Sequence, residues 1–268
     1  MEKLSSGNFF GLTDLKIESE DLILTNTAYT HEYVDWHHHE NAYFTFICSG
    51  QLIEGTKKGK QLCTAGSLLF HHAEEAHYNI KPKGHTRGMH IELPKNRLIA
   101  NGDWKQTNGS FEIHNVDIKI LFYNILKESY QPDDLTELAI HGLVSTAMDL
   151  LLPVSKTTTS NIPPWVKMVD ELLNDHYPVP LNLKEIASQI GIHAVHLSRS
   201  FPKYFNCTIA QYLRKIRVER ALEQLSNNRS SLSDIAYRCG FADQSHMVRC
   251  FREFSGITPH QFKKIIQH

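Results

Sequence analysis

The sequence predicts a two-domain α+β chain: an N-terminal antiparallel β-barrel followed by two helices, then an all-α domain of seven helices. Three observations carry this expectation. Between about Asp21 and Leu93, bursts of β-branched and aromatic residues (Tyr43 to Cys48, Ser67 to Phe70, Met89 to Leu93) are broken by Gly50, Gly55, Gly59, Gly66 and Gly84. Short strands at that spacing build a barrel or sandwich. From Val116 onward apolar residues instead recur at three and four, the helical period. Between the two helical regions the stretch SKTTTSNIPP, residues 155–164, is polar and ends in two prolines, which marks a linker.

In chain order, residues 1–115 form the β domain. Residues 116–154 carry Ile120, Leu121, Ile125 and Leu126, then, after Pro132, Leu135, Leu138, Ala139, Leu143 and Met148. These are two helices with enough apolar surface either to join two copies of the chain or to cover the open side of the barrel; one helix can do both on different faces. After the linker, residues 165–268 hold helices at Trp165 to Leu173, Leu183 to Ile190, Ala194 to about Phe205, Ile209 to Leu225, Leu232 to Cys239, Gln244 to Phe254 and Pro259 to Ile266.

At 268 residues the chain fits two domains of ordinary size. No apolar run approaches the roughly 18 residues that span a bilayer. The first thirty residues lack the basic, apolar and cleavage regions of a secretion signal, so the cytoplasm is expected. Five cysteines, Cys48, Cys63, Cys207, Cys239 and Cys250, are scattered without a CxxC pair. That fits reduced packing thiols; the alternative is an oxidant sensor, if Cys48 and Cys63 lie close in space.

The net charge of −1 hides two halves of opposite sign. Residues 1–163 carry 14 Lys and Arg against 20 Asp and Glu, whereas residues 164–268 carry 14 against 9. A polyanion is the expected partner of the C-terminal half alone.

That half contains one short unit twice. Ile186, Ala187 and Gly191 recur as Ile235, Ala236 and Gly240, and Arg199 and Phe201 recur as Arg249 and Phe251. Each copy predicts a short helix ending at a glycine, a turn that wants positive φ, and a second helix with arginine outside and phenylalanine inside. A helix-turn-helix of this kind sets its second helix in the DNA major groove, where arginine bridges guanine O6 and N7. A lone copy would equally fit an ordinary helical hairpin. The connecting helix, roughly 25 Å long, holds the two units apart, so that one chain reads successive groove segments about one turn apart.

The run GIHAVHLSRSFPKYFNCTIAQYLRKIRVERALEQL, followed by SLSDIAYRCGFADQSHMVRCFREFSGITPHQF, resembles the DNA-binding domain of AraC/XylS transcription regulators. The resemblance covers about residues 165–266 and is most specific in GF-x-DQS, the Arg217 to Ala221 spacing and the closing G-x-TP. It implies double-stranded DNA as partner, a homodimer, a small-molecule effector and RNA polymerase as a further partner, with no catalysis and no required cofactor. By position it implies that Ala194, Val195, Ser198 and Arg199 in the first recognition helix, and Gln244, Ser245, Val248 and Arg249 in the second, face bases. Lys203, Arg214, Lys215 and Arg252 are expected at phosphate, the alternative for each being a solvated helix face. Leu183, Ile186, Leu197, Phe201, Leu213, Leu222, Ile235, Phe241 and Phe251 are assigned to the core. Two residues depart from the family. His193 stands where a serine cap is usual, which predicts weaker capping. Pro202 costs roughly 3 kcal/mol inside a helix and predicts a kink or stop near Phe201.

Nine of the seventeen histidines fall between His31 and His90, which points to a site in the β domain. His37 and His39 are two apart and share one side of a strand. With Gly50, Gly66 and His77 they look like the two motifs of the cupin barrel, in which two histidines, a glutamate and a third histidine hold a divalent metal. Tyr43 stands in the glutamate's place, with Glu40 nearby. His37, His39 and His77 are thus candidate ligands for zinc, iron or nickel with an open position. The competing expectation is an organic-effector pocket of Trp36, His37, His39, Tyr43, His77 and Arg87. A metal-binding cupin fused to a DNA-binding domain, acting as a metal sensor or as a metal-dependent enzyme, is the alternative function.

Overall fold

The computed structural model describes residues 2–94, 109–151, 162–227 and 230–266. It divides into two compact units built on Met1–Leu152 and Pro153–Lys264. Most of the expected linker lies outside the described residues.

The first unit holds two sheets. One runs in the order β1 (Glu2–Leu4), β4 (Tyr33–His39), β9 (His77–Ile80), β6 (Gln51–Thr56), β7 (Gly59–Thr64). The other runs β11 (Phe111–Glu112), β8 (Leu68–His71), β5 (Ala42–Ser49), β10 (Arg87–Leu93), β3 (Ile23–Ala28), β2 (Leu12–Glu18). Only the β1–β4 pair is parallel among the described strands. The expected barrel is therefore realised as two sheets lining one cavity, with no ladder among the described residues closing them.

Strand β5 explains how the unit is layered. Side chains alternate along it. Phe44 and Phe46 pack on Phe122 and Tyr123 of helix α1 (Val116–Tyr130), at ring separations of 5.1 Å and 4.8 Å. Tyr43 and Thr45, between and beside them, line the cavity. A strand covered on both faces reads as a largely apolar run, and YFTFIC, interrupted only by Thr45 on the cavity side, fits that. Asn115 caps α1 by accepting from the amides of Asp117 and Ile118. Helix α2 (Thr136–Leu151) packs on α1 through Ile140, Val144, Ala147 and Met148. Its outer side leaves Leu138 at 72% exposure, and Leu135, in the turn just ahead of it, stands at 64%.

The second unit contains α3 (Pro164–His176), α4 (Leu183–Gln189), α5 (Ala194–Phe205), α6 (Ile209–Asn227), α7 (Leu232–Arg238), α8 (Gln244–Ser255) and α9 (Pro259–Ile266). All seven predicted helices are present. The central α6 contacts α5 on one side and α7 and α8 on the other. Its buried Ile216, Val218, Ala221, Leu222 and Leu225 form the shared core of both helix pairs. At 19 residues it spans roughly 28 Å. No described helix is long and apolar enough to cross a membrane.

Two expectations are corrected here. Leu183 is 38% exposed rather than core, because it opens α4 one turn ahead of the first buried position, Ile186. The first recognition helix does not stop near Phe201; it continues through Pro202 to Phe205. Its last turn is held by burial: Phe205 stacks on Phe201 at 4.1 Å and meets Tyr212 of α6 at 4.8 Å, which offsets the proline's cost. At the cap position, His193 Nδ1 accepts from the amide of Val195 at 3.3 Å.

Both turn glycines adopt the expected left-handed backbone, Gly191 at φ +70° and Gly240 at φ +76°. They differ in surroundings. A methyl on Gly191 meets open space, whereas one on Gly240 would sit 2.5 Å from the carbonyl oxygen of Pro178. Gly191→Ala should cost about 1–2 kcal/mol from backbone strain alone. Gly240→Ala should cost clearly more, and urea titration of the two variants compares them directly.

Candidate nucleic-acid interface and histidine cavity

Helices α5 and α8 present the DNA-facing candidates on one side and the core on the other, as a three-four spacing requires. On α5, Leu197 and Phe201 are fully buried, while Ser198 and Arg199 are exposed, Val195 is 48% exposed and Ala194 is half-buried. On α8, Met247 and Phe251 are fully buried, Gln244, Ser245 and Arg249 are exposed and Val248 is half-buried. Asp243 caps α8, accepting from the amide of His246 at 2.6 Å. Arg199, Arg249 and Arg252 form no ion pair among the described residues, so their guanidinium groups are free to meet an anion or a base edge. Lys203 and Arg252 are exposed, whereas Arg214 and Lys215 on α6 are half-buried.

Two candidates carry contacts that DNA would have to rearrange. The Gln244 side-chain oxygen accepts from the Ser233 hydroxyl at 2.8 Å, so bidentate pairing with adenine requires that bond to break. The Ser198 hydroxyl donates to the carbonyl of Val195 at 3.1 Å.

Arg217 is a structural residue that motif reading alone did not resolve. Its Nε donates to the carbonyl of Tyr177 at 2.8 Å and its Nη2 to that of Val179 at 3.2 Å, pinning the α3–α4 connection to α6. Arg220 lies over the Tyr177 ring and pairs with Glu219 and Glu223. Only the surroundings of α6 distinguish these arginines from readers of DNA.

In the first unit, a β-bulge between Val34 and His37 sets which β4 side chains face inward: Val34, His37 and His39. One ligand atom each of His37, His39 and His77 lie within 4.8 Å of one another. The same bulge turns Trp36 outward against Tyr78, and Arg87 pairs with Asp14 and Asn26 of its own sheet. Neither residue lines the cavity, so both are withdrawn from the expected pocket. Phe9, Tyr29, Glu54, His71 and His90 line it instead. Sequence spacing gave no signal for them, because they come from separate strands and from the segment ahead of β2. Phe9 stacks on His90 at 3.5 Å and on His39 at 4.7 Å, and the space left measures about 40 Å³.

The metal implied by the cupin resemblance fits this set poorly. At the position of the missing carboxylate, the Tyr43 hydroxyl donates to His77 Nε2 at 3.1 Å, and burial holds that phenol protonated. Cys48 and Cys63 are buried thiols pushed up to about 12 by desolvation, which leaves them protonated and unreactive at neutral pH.

The cavity's histidines are held neutral. Burial, reinforced by His77 and His37, pushes His39 down to about 2, and burial pushes His77 and His90 down to about 3. The folded unit therefore takes up fewer protons than the unfolded chain once pH falls below the ordinary histidine value near 6.5. Stability should drop progressively from about pH 6.5 toward pH 3. Glu54, pushed up to about 8 by burial, and Glu92, also raised by burial, act in the opposite sense as two groups against several. Thermal unfolding of the N-terminal unit at pH 7.5 and 5.5 checks the sign: a higher midpoint at 5.5 would contradict it.

Residues 186–265 match the family model described as a helix-turn-helix domain. The chain is similar to the HTH-type transcriptional regulator GbdR of Pseudomonas aeruginosa, at 31% identity over 96 residues, covering 36% of this chain and 26% of that protein. It is similar to the HTH-type transcriptional activator RhaS of Escherichia coli, at 26% identity over 141 residues, covering 52% of this chain and 51% of that protein. A solved transcriptional regulator with an AraC-type DNA-binding domain, from Chromobacterium violaceum, matches at 26% identity and a TM-score of 0.37, covering 38% of this chain and 90% of that chain. The chain thus spans about half or less of the length of these curated relatives.

Proposed function

We infer that this chain, which carries an AraC/XylS-type helix-turn-helix domain in its C-terminal half, is a transcription regulator that reads a specific DNA sequence. The observation that carries this is the duplicated pair of helices α5 and α8, each with buried Phe and Leu or Met behind and an unpaired arginine in front. Held on one rigid helix, the two fit successive major-groove segments. Arg199 and Arg249 are the guanine readers, and Ala194, Val195, Ser198, Gln244, Ser245 and Val248 complete the base-facing surfaces. Lys203 and Arg252, with Arg214 and Lys215 from α6, contact phosphate. Fluorescence anisotropy with full-length protein tests it: binding should be saturable and resist competition by unrelated duplex, and equal competition by any duplex would reject it.

The N-terminal unit is the sensing part of the regulator, with the ligand taken up between the two sheets. An organic effector requires Phe9 to withdraw, since the present space is far below the roughly 300 Å³ of an ordinary ligand pocket. Dimerisation through the outer side of α2 and the turn just ahead of it accounts for the exposure of Leu138 and Leu135. Leu138→Glu should shift the protein toward monomer in sedimentation at micromolar concentration, and an unchanged dimer would place the interface elsewhere. In this account the protein acts in the cytoplasm, on DNA and alongside RNA polymerase, without catalysis of its own.

A further inference from the structure

We propose that the N-terminal unit binds a divalent first-row transition metal through Glu54, His71 and His77. The carboxylate that the cupin pattern lacks on β5 is supplied from β6. One ligand atom from each of the three lies within 4.8 Å of the other two, and all three residues are buried, at 6%, 2% and 3% exposure. The carboxylate is already oriented: Glu54 Oε2 accepts from the Asn79 amide, which leaves Oε1 facing the cavity. Neither Glu54 Oε1 nor His71 Nδ1 has a hydrogen-bond partner, and they stand 3.7 Å apart. Two buried polar atoms left without partners at one point are costly unless something bridges them.

His77 is arranged as a ligand. Its Nδ1 donates to the carbonyl of Glu75 at 3.2 Å, which fixes the ring and leaves Nε2 as the lone-pair nitrogen. A backbone carbonyl behind the ring is a common support for metal-bound imidazole. On binding, Nε2 exchanges the Tyr43 hydroxyl for the ion. A tetrahedral ion with bonds of about 2.0–2.2 Å holds its ligand atoms roughly 3.3 Å apart, so closure asks only for side-chain rotations of about an ångström.

Size and access agree. The central cavity of about 40 Å³ holds an ion with a water but no organic molecule. Glu54 and His71 also line an adjoining pocket of about 260 Å³, which provides a route in and an open coordination position. The alternative trio of His37, His39 and His77 shares His77, so the two sets compete for one ion. The Glu54 set is favoured because its carboxyl group becomes an anionic oxygen ligand once the incoming ion displaces its proton to solvent, whereas the other set offers three neutral imidazoles. Two histidines with a carboxylate suit zinc, iron or nickel. The inference deepens the sensing role, and it rests on that role only in making the metal the signal.

The test uses the full-length chain stripped with chelator and titrated with zinc by calorimetry. One zinc per chain is expected, with affinity at least about 100-fold weaker in Glu54→Gln and His71→Ala and within about threefold of the parent in His37→Ala. Absence of stoichiometric zinc, or equal losses in Glu54→Gln and His37→Ala, overturns the proposal. If Glu54→Gln fails to fold, X-ray absorption of the zinc-loaded parent decides: two imidazoles with a carboxylate oxygen support it and three imidazoles overturn it. Anisotropy with a selected duplex, with and without zinc, separates the two claims, since zinc binding with unchanged DNA affinity removes the signalling role and leaves the site standing.

Discussion

Replacing Arg249 with alanine should weaken binding to the preferred duplex by about 1–3 kcal/mol, or roughly five- to 150-fold, and relax base preference at a single position. The argument rests on its place on the outer side of α8, exposed and without an acidic partner, opposite the fully buried Phe251. Lys203→Ala is the control. It should weaken all duplexes to a similar degree and reduce the salt dependence by about one counterion, because a phosphate contact positions without reading sequence. A loss for Arg249→Ala that is the same on every duplex would remove it from the base-reading surface.

Phe251→Ala should destabilise the helical domain by about 3–5 kcal/mol, a large share of the total of a domain this size. Phe251 is fully buried and its ring lies 5.9 Å from that of Phe262 on α9, so truncation opens a cavity between α8, α9 and α6. The neighbouring Phe254 is half-buried and its replacement should cost less. Chemical denaturation followed by circular dichroism compares them. A loss under about 1 kcal/mol for Phe251→Ala would mean that the second helix pair is not packed as described. Because recognition depends on a rigid α8, the same variant should lose DNA binding at temperatures where the parent retains it.

The helical half was legible in the sequence because its information is local. Periodicity and the glycines at 191 and 240 each act within a turn or two of where they stand, and the caps that the structure adds at Asn182, Ser231 and Asp243 are equally local. Pro202 shows the limit of local rules: the helix runs past it to Phe205, whose ring packs on Phe201 and Tyr212, contacts that helical periodicity alone does not show. The β half was legible only as a class. Its cavity is assembled from residues far apart in sequence, and no spacing rule links Glu54 on β6 to His71 on β8. The H-x-H pattern located His37 and His39 on one inward face, yet the bulge beside them turned Trp36 away. Arg87 was misplaced for a related reason, since its pairing with Asp14 depends on the register of β2, β3 and β10. The charge division between the halves needed no structure, and it is consistent with a polyanion at the C-terminal unit alone.

The most direct test is selection of bound duplexes from a randomised pool by the full-length protein, followed by hydroxyl-radical footprinting of the winner. Two short enriched blocks are expected, centred about one helical turn apart, roughly 10 base pairs, and protected along one face of the duplex. A pool that shows no enrichment over its input, or one short block protected without a second, would contradict a single chain reading DNA with two helix-turn-helix units.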